Sequence, residues 1–207
     1  MLTMTWEEFQ KDCGELMHLS NEFDDGWELV SKGSDVGQVY LKKTEKVREN
    51  LEVAIDMEEC LLEEPLDLSS EEPVQSDELI TVEYHVVYSI SYQVPMLFFR
   101  GYRSNGALIS LEESWKLFNA TIKSYTRQEM LSILTQMDHP HLFKPFLCLH
   151  PCKTAEILGQ TSDSQNKLVT FLSVFGPYVH LKLSAKYGMY FNEPEAVQNI
   201  RRDTFSR

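Results

Sequence analysis

The stretch Leu79-Ile80-Thr81-Val82-Glu83-Tyr84-His85-Val86-Val87-Tyr88-Ser89-Ile90, continuing through Val94-Pro95-Met96-Leu97-Phe98-Phe99-Arg100 to Tyr102, decides the fold. Val82, Tyr84, Val86, Tyr88 and Ile90 alternate with Glu83, His85, Val87 and Ser89, and β-branched and aromatic residues dominate. Side chains of a strand point to opposite faces in turn, so a period of two marks a strand with a buried face. A second strand follows from Val94, and Ser104-Asn105-Gly106 supplies the turn chemistry that ends it. Pro95 has no N–H to give a ladder and belongs at a strand start or edge. His85 and the tyrosines are read first as cross-strand packing residues.

Upstream, Trp27–Ser31 and Val36–Val47 read as two more strands joined by Lys32-Gly33-Ser34-Asp35, giving an antiparallel meander of about four. A helix precedes them. Thr5 and Glu8 have capping-box spacing, and Trp6, Phe9, Cys13, Leu16, Leu19 and Phe23 form one apolar stripe that Asp24-Asp25-Gly26 ends. Cys13 lies on that stripe as a small buried hydrophobe. Downstream, Ser110 and Glu113 open a second helix through Trp115 and Phe118, and Met130, Ile133, Leu134 and Met137 favour a short helix within 127–137. Lys144–Leu149 reads as an extended run. Asn166–Phe175 reads as a helix with Leu168, Phe171, Leu172 and Phe175 inward and Gly176-Pro177 as its stop, after which polar residues and a basic cluster trail off. Strands in one block with helices at both ends predict an α+β fold on an antiparallel sheet.

The 207 residues, 43% hydrophobic and 11% aromatic, suit one domain with a sizeable core. The net charge of −13 is concentrated: residues 49–78 hold 12 acidic side chains and no Lys or Arg, which leaves 20 acidic against 19 basic residues elsewhere. The segment 48–78 is therefore expected to be an acidic, disordered insert in a nearly neutral body. That balance argues against nucleic acid or an anionic membrane as partner. No run reaches the roughly 18 apolar residues of a membrane helix. Glu7, Glu8, Lys11 and Asp12 interrupt any signal-peptide core, so a soluble cytoplasmic protein is expected. Four cysteines (Cys13, Cys60, Cys148, Cys152) in a reducing compartment are buried filler or reactive thiols.

Reactive side chains gather between Asp138 and Cys152: His139, His141, Cys148, His150 and Cys152. Three readings fit these residue types. In the first, Cys152 is a nucleophile: His150 and Lys153 favour its thiolate, and Pro151 fixes the backbone just before it. In the second, the five residues bind zinc, although their spacing lacks the usual paired Cys-x-x-Cys clips. In the third, both cysteines pack inertly and the histidines sit on the surface. Spacing alone leaves all three open.

Tyr84-His85-Val86-Val87-Tyr88-Ser89-Ile90-Ser91-Tyr92-Gln93-Val94-Pro95, with Leu149-His150-Pro151-Cys152-Lys153-Thr154 downstream, closely resembles the autophagy-related protein 10 family. These are the ubiquitin-conjugating-like enzymes of the autophagy pathway. The resemblance spans about residues 5–185 and is weakest in 48–78. It implies one ubiquitin-conjugating-like domain over 1–207: a four-stranded meander with an extra hairpin, flanked by helices. It also implies that Cys152 accepts the C-terminal glycine of autophagy-related protein 12 from the activating enzyme, autophagy-related protein 7. The acyl group would then pass to a lysine of autophagy-related protein 5, with no metal or cofactor. The rival expectation is a non-catalytic adaptor for ubiquitin-like partners.

One departure bears on mechanism. Ordinary ubiquitin-conjugating enzymes carry His-Pro-Asn upstream of the cysteine, and that Asn stabilises the oxyanion. Here the sequence is His139-Pro140-His141. A preorganised donor is commonly worth 10²–10³ in rate. Tyr84, Tyr88 and Asn119 are the candidates to replace it, and His150 is the candidate for shaping the site.

Overall fold

The computed structural model describes residues 4–33, 38–48, 79–110, 113–114, 117–118, 134–151, 154 and 164–191. The acidic insert beyond Arg48, Trp115, Asn119, residues 127–133 and the C-terminal basic cluster lie outside them.

Helix α1 runs Trp6–Phe23, and its capping box is reciprocal: Glu8 N–H donates to Thr5 Oγ1 at 3.1 Å and Thr5 N–H to Glu8 Oε2 at 2.7 Å. Asp24, at φ 53°, turns the chain out of the helix in the left-handed region, where Asp is tolerated better than most residues. Six strands follow: β1 (Glu28–Ser31), β2 (Val39–Arg48), β3 (Leu79–Ser89), β4 (Val94–Tyr102), β5 (Leu134–Asp138) and β6 (Pro145–Leu149). They form one sheet in the order β1-β2-β3-β4-β6-β5, antiparallel throughout. The first four are the expected meander, and β5–β6 is a hairpin added beside β4. Pro95 pairs with Tyr88, whereas β6 joins β4 only at Phe98 and Phe99. The missing N–H therefore falls where β4 has no second neighbour among the described residues.

The sheet's alternation sorts its side chains between two cores. Leu41, Val82, Tyr84, Val86, Tyr88, Leu97, Phe99, Leu147 and Leu149 meet the helices in the main core. Tyr40, Val87, Met96, Phe98, Phe146 and Cys148 form a smaller core on the outer face. Trp6, Phe9 and Tyr88 rings lie 5.5–5.7 Å apart and seat α1 on the sheet. Burying each such side chain contributes about 1.5–3 kcal/mol. Helix α2 (Lys167–Phe175) is capped by Asn166, whose side chain accepts from Val169 N–H at 2.9 Å. It is tied to α1 where Asp12 Oδ2 accepts from Leu168 N–H at 3.3 Å and Asn166 Nδ2 donates to Asp12 O at 3.2 Å.

Four local expectations are corrected. Leu134–Asp138 is strand β5 and not part of a helix: Leu134 pairs with Leu149 and Met137 with Phe146, so sheet pairing overrides local spacing. Ile90 leaves the strand for the β3–β4 turn, where it is 60% exposed. Gly176-Pro177 does not stop the helix outright: the chain tightens into a 3-10 turn over Gly176–Val179, with Pro at a position whose N–H has no intrahelical role. A third helix, α3 (Ala185–Phe191), follows and buries Tyr187 and Tyr190. The Ser110–Glu113 capping box is present, at 2.7 and 3.2 Å.

Candidate active site

Strand β6 carries the chain into His150-Pro151-Cys152. It is held on both sides, by β4 (Phe98↔Cys148, Phe99↔Leu147) and by β5 (Leu134↔Leu149), so the approach to the motif is fixed by ladder hydrogen bonds. His150 is half-buried; Pro151 is buried and helical. Cys152 and Lys153 lie outside the described residues. Thr154 is helical and fully buried.

The two described cysteines are sealed. Cys148 has no exposure, faces the outer core among Phe98, Phe146 and Tyr40, and burial pushes its thiol up to about 12. Cys13 is 1% exposed on the inward stripe of α1, where burial and then the neighbouring Asp12 raise its pKa. A thiol of this kind supplies almost no thiolate at neutral pH, and thiolate is the nucleophile.

The histidines upstream of the motif form a buried network. His141 N–H donates to His139 Nδ1 at 3.1 Å, so the proton of neutral His139 sits on Nε2. His139 Nε2 lies 3.0 Å from His85 Nδ1 and donates to it. His85 Nε2 in turn donates to Glu83 Oε1 at 3.1 Å. Glu83 Oε2 accepts from Arg100 Nε at 2.9 Å and Tyr102 Oη at 3.1 Å. The His85 hydrogen bond, followed by that of Arg100, holds the Glu83 carboxyl at about 2. His139 is driven down to about 3, first by burial and then by His85 and His141. Both ring nitrogens of His139 are thus engaged, and none is left for a metal ion. Phe98, Phe146 and Tyr40 pack around it at centroid distances of 5.0–5.3 Å. Reading His85 as mere cross-strand packing misses this network: its partner is 54 residues away, and only the hairpin brings it close.

The oxyanion candidates separate. Tyr84 is fully buried in the main core, and its hydroxyl donates to Val179 O at 2.6 Å. Tyr88 Oη donates to Met4 O at 2.8 Å. Each phenol has one hydrogen to give, and each gives it to a backbone carbonyl here. Asn119 lies outside the described residues. Thr154, two positions after Cys152, is the one buried hydroxyl without a hydrogen-bond partner among the described residues. An unpartnered buried hydroxyl costs about 1–3 kcal/mol. Its threonine was visible in the sequence, but burial and the missing partner are properties of the fold.

The chain matches the family profile described as "Autophagocytosis associated protein, active-site domain" over residues 8–186. It is 32% identical over 205 residues to the human ubiquitin-like-conjugating enzyme ATG10, covering 90% of this chain and 93% of that one. It is 36% identical over 146 residues to the Arabidopsis thaliana enzyme of the same name, covering 65% and 64%. The Dictyostelium discoideum enzyme of that name is 29% identical over 121 residues, covering 51% and 53%. With the matched region taking in the sheet, the His-Pro-Cys motif and α2, the chain belongs to the ATG10 family of ubiquitin-like-conjugating enzymes.

Proposed function

We propose that Cys152 carries a ubiquitin-like protein as a glycyl thioester. The observation that supports this reading most directly is the state of the other thiol in the segment: Cys148 is locked in the outer core and protonated. The last described strand ends at Leu149, before the His-Pro-Cys motif begins. The ubiquitin-like protein is autophagy-related protein 12, delivered by autophagy-related protein 7, and the acceptor is a lysine of autophagy-related protein 5. This reading places the reaction in the cytoplasm.

The chemistry is two acyl transfers. Cys152 thiolate attacks the glycyl carbonyl held on the activating enzyme's cysteine, a new C–S bond forms, and that enzyme's thiolate leaves. The acceptor lysine's neutral amine then attacks the same carbonyl carbon. The tetrahedral intermediate collapses with the Cys152 thiolate as leaving group and the ammonium proton is lost to solvent, giving an amide. A thiolate leaves more readily than the amine, so collapse runs toward the amide. His150 and Pro151 shape the segment that presents the thiol.

The test combines purified protein, autophagy-related proteins 7 and 12 and ATP on non-reducing gels, with Cys152→Ser alongside. The expected result is a wild-type adduct lost on adding thiol and a thiol-resistant ester on the serine variant. Absence of any adduct on both proteins refutes the carrier mechanism.

A further inference from the structure

We infer that the β5–β6 hairpin opens as a unit, ahead of the rest of the domain, and that the pairing of His139 with His85 is the latch that acid releases. The hairpin is complete in itself. β5 and β6 pair from Leu134↔Leu149 to Asp138↔Pro145. The turn between them is closed by His139 N–H donating to Lys144 O at 2.8 Å and Phe143 N–H to His139 O at 2.9 Å. Its ladder to the rest of the sheet is much shorter. Among the described residues β6 pairs with β4 only at Phe98↔Cys148 and Phe99↔Leu147, whereas β3 and β4 pair continuously from Thr81↔Tyr102 to Ser89↔Val94. A segment with few hydrogen bonds to the remainder is the kind that opens locally, below the cost of global unfolding. Phe146 and Cys148 hold the hairpin to the outer core, and Leu134, Leu147 and Leu149 hold it to the main one. Those apolar contacts do not change between neutral and mildly acid pH. The histidine pair does.

The geometry of the latch leaves no place for an added proton. His139 Nδ1 faces the His141 backbone N–H at 3.1 Å, and its Nε2 faces His85 Nδ1 at 3.0 Å. His85 Nε2 in turn faces Glu83 Oε1 at 3.1 Å. Each ring therefore carries one proton, and both protons point along the chain toward Glu83. A further proton must go to His139 Nδ1, where it meets the His141 N–H, or to His85 Nδ1, where it meets the proton on His139 Nε2. Either way donor faces donor. The other charged and titratable groups add no acceptor for it. Glu83, from β3, is taken up by Arg100 of β4 at 2.9 Å, Lys42 of β2 at 3.8 Å and the Tyr102 hydroxyl at 3.1 Å. Tyr40 of β2 packs its ring against both His139 and His141, Cys148 of β6 is a protonated thiol, and Asp138 at the end of β5 is exposed.

Burial, then His85, His141 and Arg100, keep His139 neutral down to about pH 3 while the hairpin is closed. Opening carries His139 on its own turn away from His85 and into water, where an imidazole takes up a proton near 6.5. Acid therefore favours the open hairpin by linkage. Asp12, which gains a proton on folding and so opposes this effect in global unfolding, lies between α1 and α2 and keeps its bond from Leu168 N–H when the hairpin opens. Local opening is thus more acid-sensitive than unfolding of the whole domain. Because β6 continues into His150 and Pro151, the latch also sets how firmly that segment is held.

The experiment is hydrogen exchange of the full chain followed by mass spectrometry at pH 7.5 and 5.5, with protection taken relative to the intrinsic exchange rate at each pH. The β6 amides of Phe146–Leu149 should lose protection about tenfold on acidification, while those of β2 and β3 stay within about threefold. Cys148 gives a second reading: its labelling by 4,4′-dithiodipyridine, relative to the urea-unfolded chain at the same pH, should quicken about tenfold, with Cys13 on α1 within about threefold. His139→Gln keeps a donor toward His85 and cannot take up a proton, so its β6 protection should differ by less than about twofold between the two pH values. Equal losses in β6 and in β2–β3 overturn the inference, because the hairpin is then no separate unit. Unchanged β6 protection in wild type overturns it as well, and so does a His139→Gln protein that keeps the tenfold loss. If His139→Gln does not fold, the contrast between β6 and β2–β3 within wild type, and between Cys148 and Cys13, decides the matter.

Discussion

Acid should act on this protein through two buried groups of opposite sign that nearly cancel. His139 is fully buried, faced by His85 and Glu83 from β3, Arg100 from β4 and His141 from its own turn, and its pKa falls from 6.5 to about 3. The unfolded chain therefore takes up a proton below pH 6.5 that the folded one refuses. Stability is full above 6.5 and is lost as pH falls toward 3. Between pH 7.5 and 5 the loss is about 2 kcal/mol from this group. Asp12 behaves oppositely. Burial against α2 raises its pKa from 3.8 to about 6, so the folded state binds the proton first and stability is gained as pH falls through 6. Over the same interval that gain is about 1.4 kcal/mol. Wild type should thus lose only roughly 0.6 kcal/mol on going from pH 7.5 to 5. Asp12→Asn keeps an acceptor for Leu168 N–H and removes the compensation, so its stability should fall by about 2 kcal/mol, close to 1 M in urea midpoint. His139→Gln should show the reverse, gaining stability on acidification. The assay is equilibrium urea unfolding at several pH values, followed by tryptophan fluorescence. If Asp12→Asn stays as flat as wild type, or His139→Gln keeps the wild-type slope, the assignment of the two protons is wrong.

Three further outcomes follow from the packing. A Cβ added at Gly176 would sit 2.6 Å from the Leu181 carbonyl oxygen, a backbone atom pinned by the 2.9 Å bond from Leu181 N–H to Gly176 O. Gly176→Ala should therefore cost about 1–3 kcal/mol and lower the melting temperature by several degrees in calorimetry. Tyr84→Phe should cost about 1–3 kcal/mol by leaving the Val179 carbonyl unpaired, while thioester discharge on gels stays near wild type. A stable Tyr84→Phe that charges but cannot discharge would move Tyr84 from the core into the chemistry. In native alkylation with iodoacetamide, mapped by mass spectrometry, Cys13 and Cys148 should remain unmodified when Cys152 has reacted to completion, because burial keeps both thiols protonated.

Much of this fold is legible residue by residue. Thr5 and Glu8, three positions apart, locate the start of α1, because a cap depends only on local backbone geometry. The alternation from Val82 to Tyr88 identifies β3 and the face it buries, since strand pleating is local as well. The family could be read from the strand ending in Tyr92-Gln93-Val94-Pro95 together with His150-Pro151-Cys152, and with it the nucleophile to test. Leu134–Asp138 could not be read this way. Its spacing suits a helix, and only pairing with β6 makes it a strand. Nor could the difference between Cys148 and a reactive thiol be seen in residue types. It lies in the enclosure by Phe98, Phe146 and Tyr40, which comes from three different strands. The His139–His85–Glu83 chain and the unpartnered hydroxyl of Thr154 are of the same kind. Caps and pleats are set by neighbours along the chain, so the sequence determines them by itself. Desolvation and hydrogen-bond partnership depend on residues that are distant in sequence, so only the tertiary structure decides which polar groups are neutralised and which are left free to act.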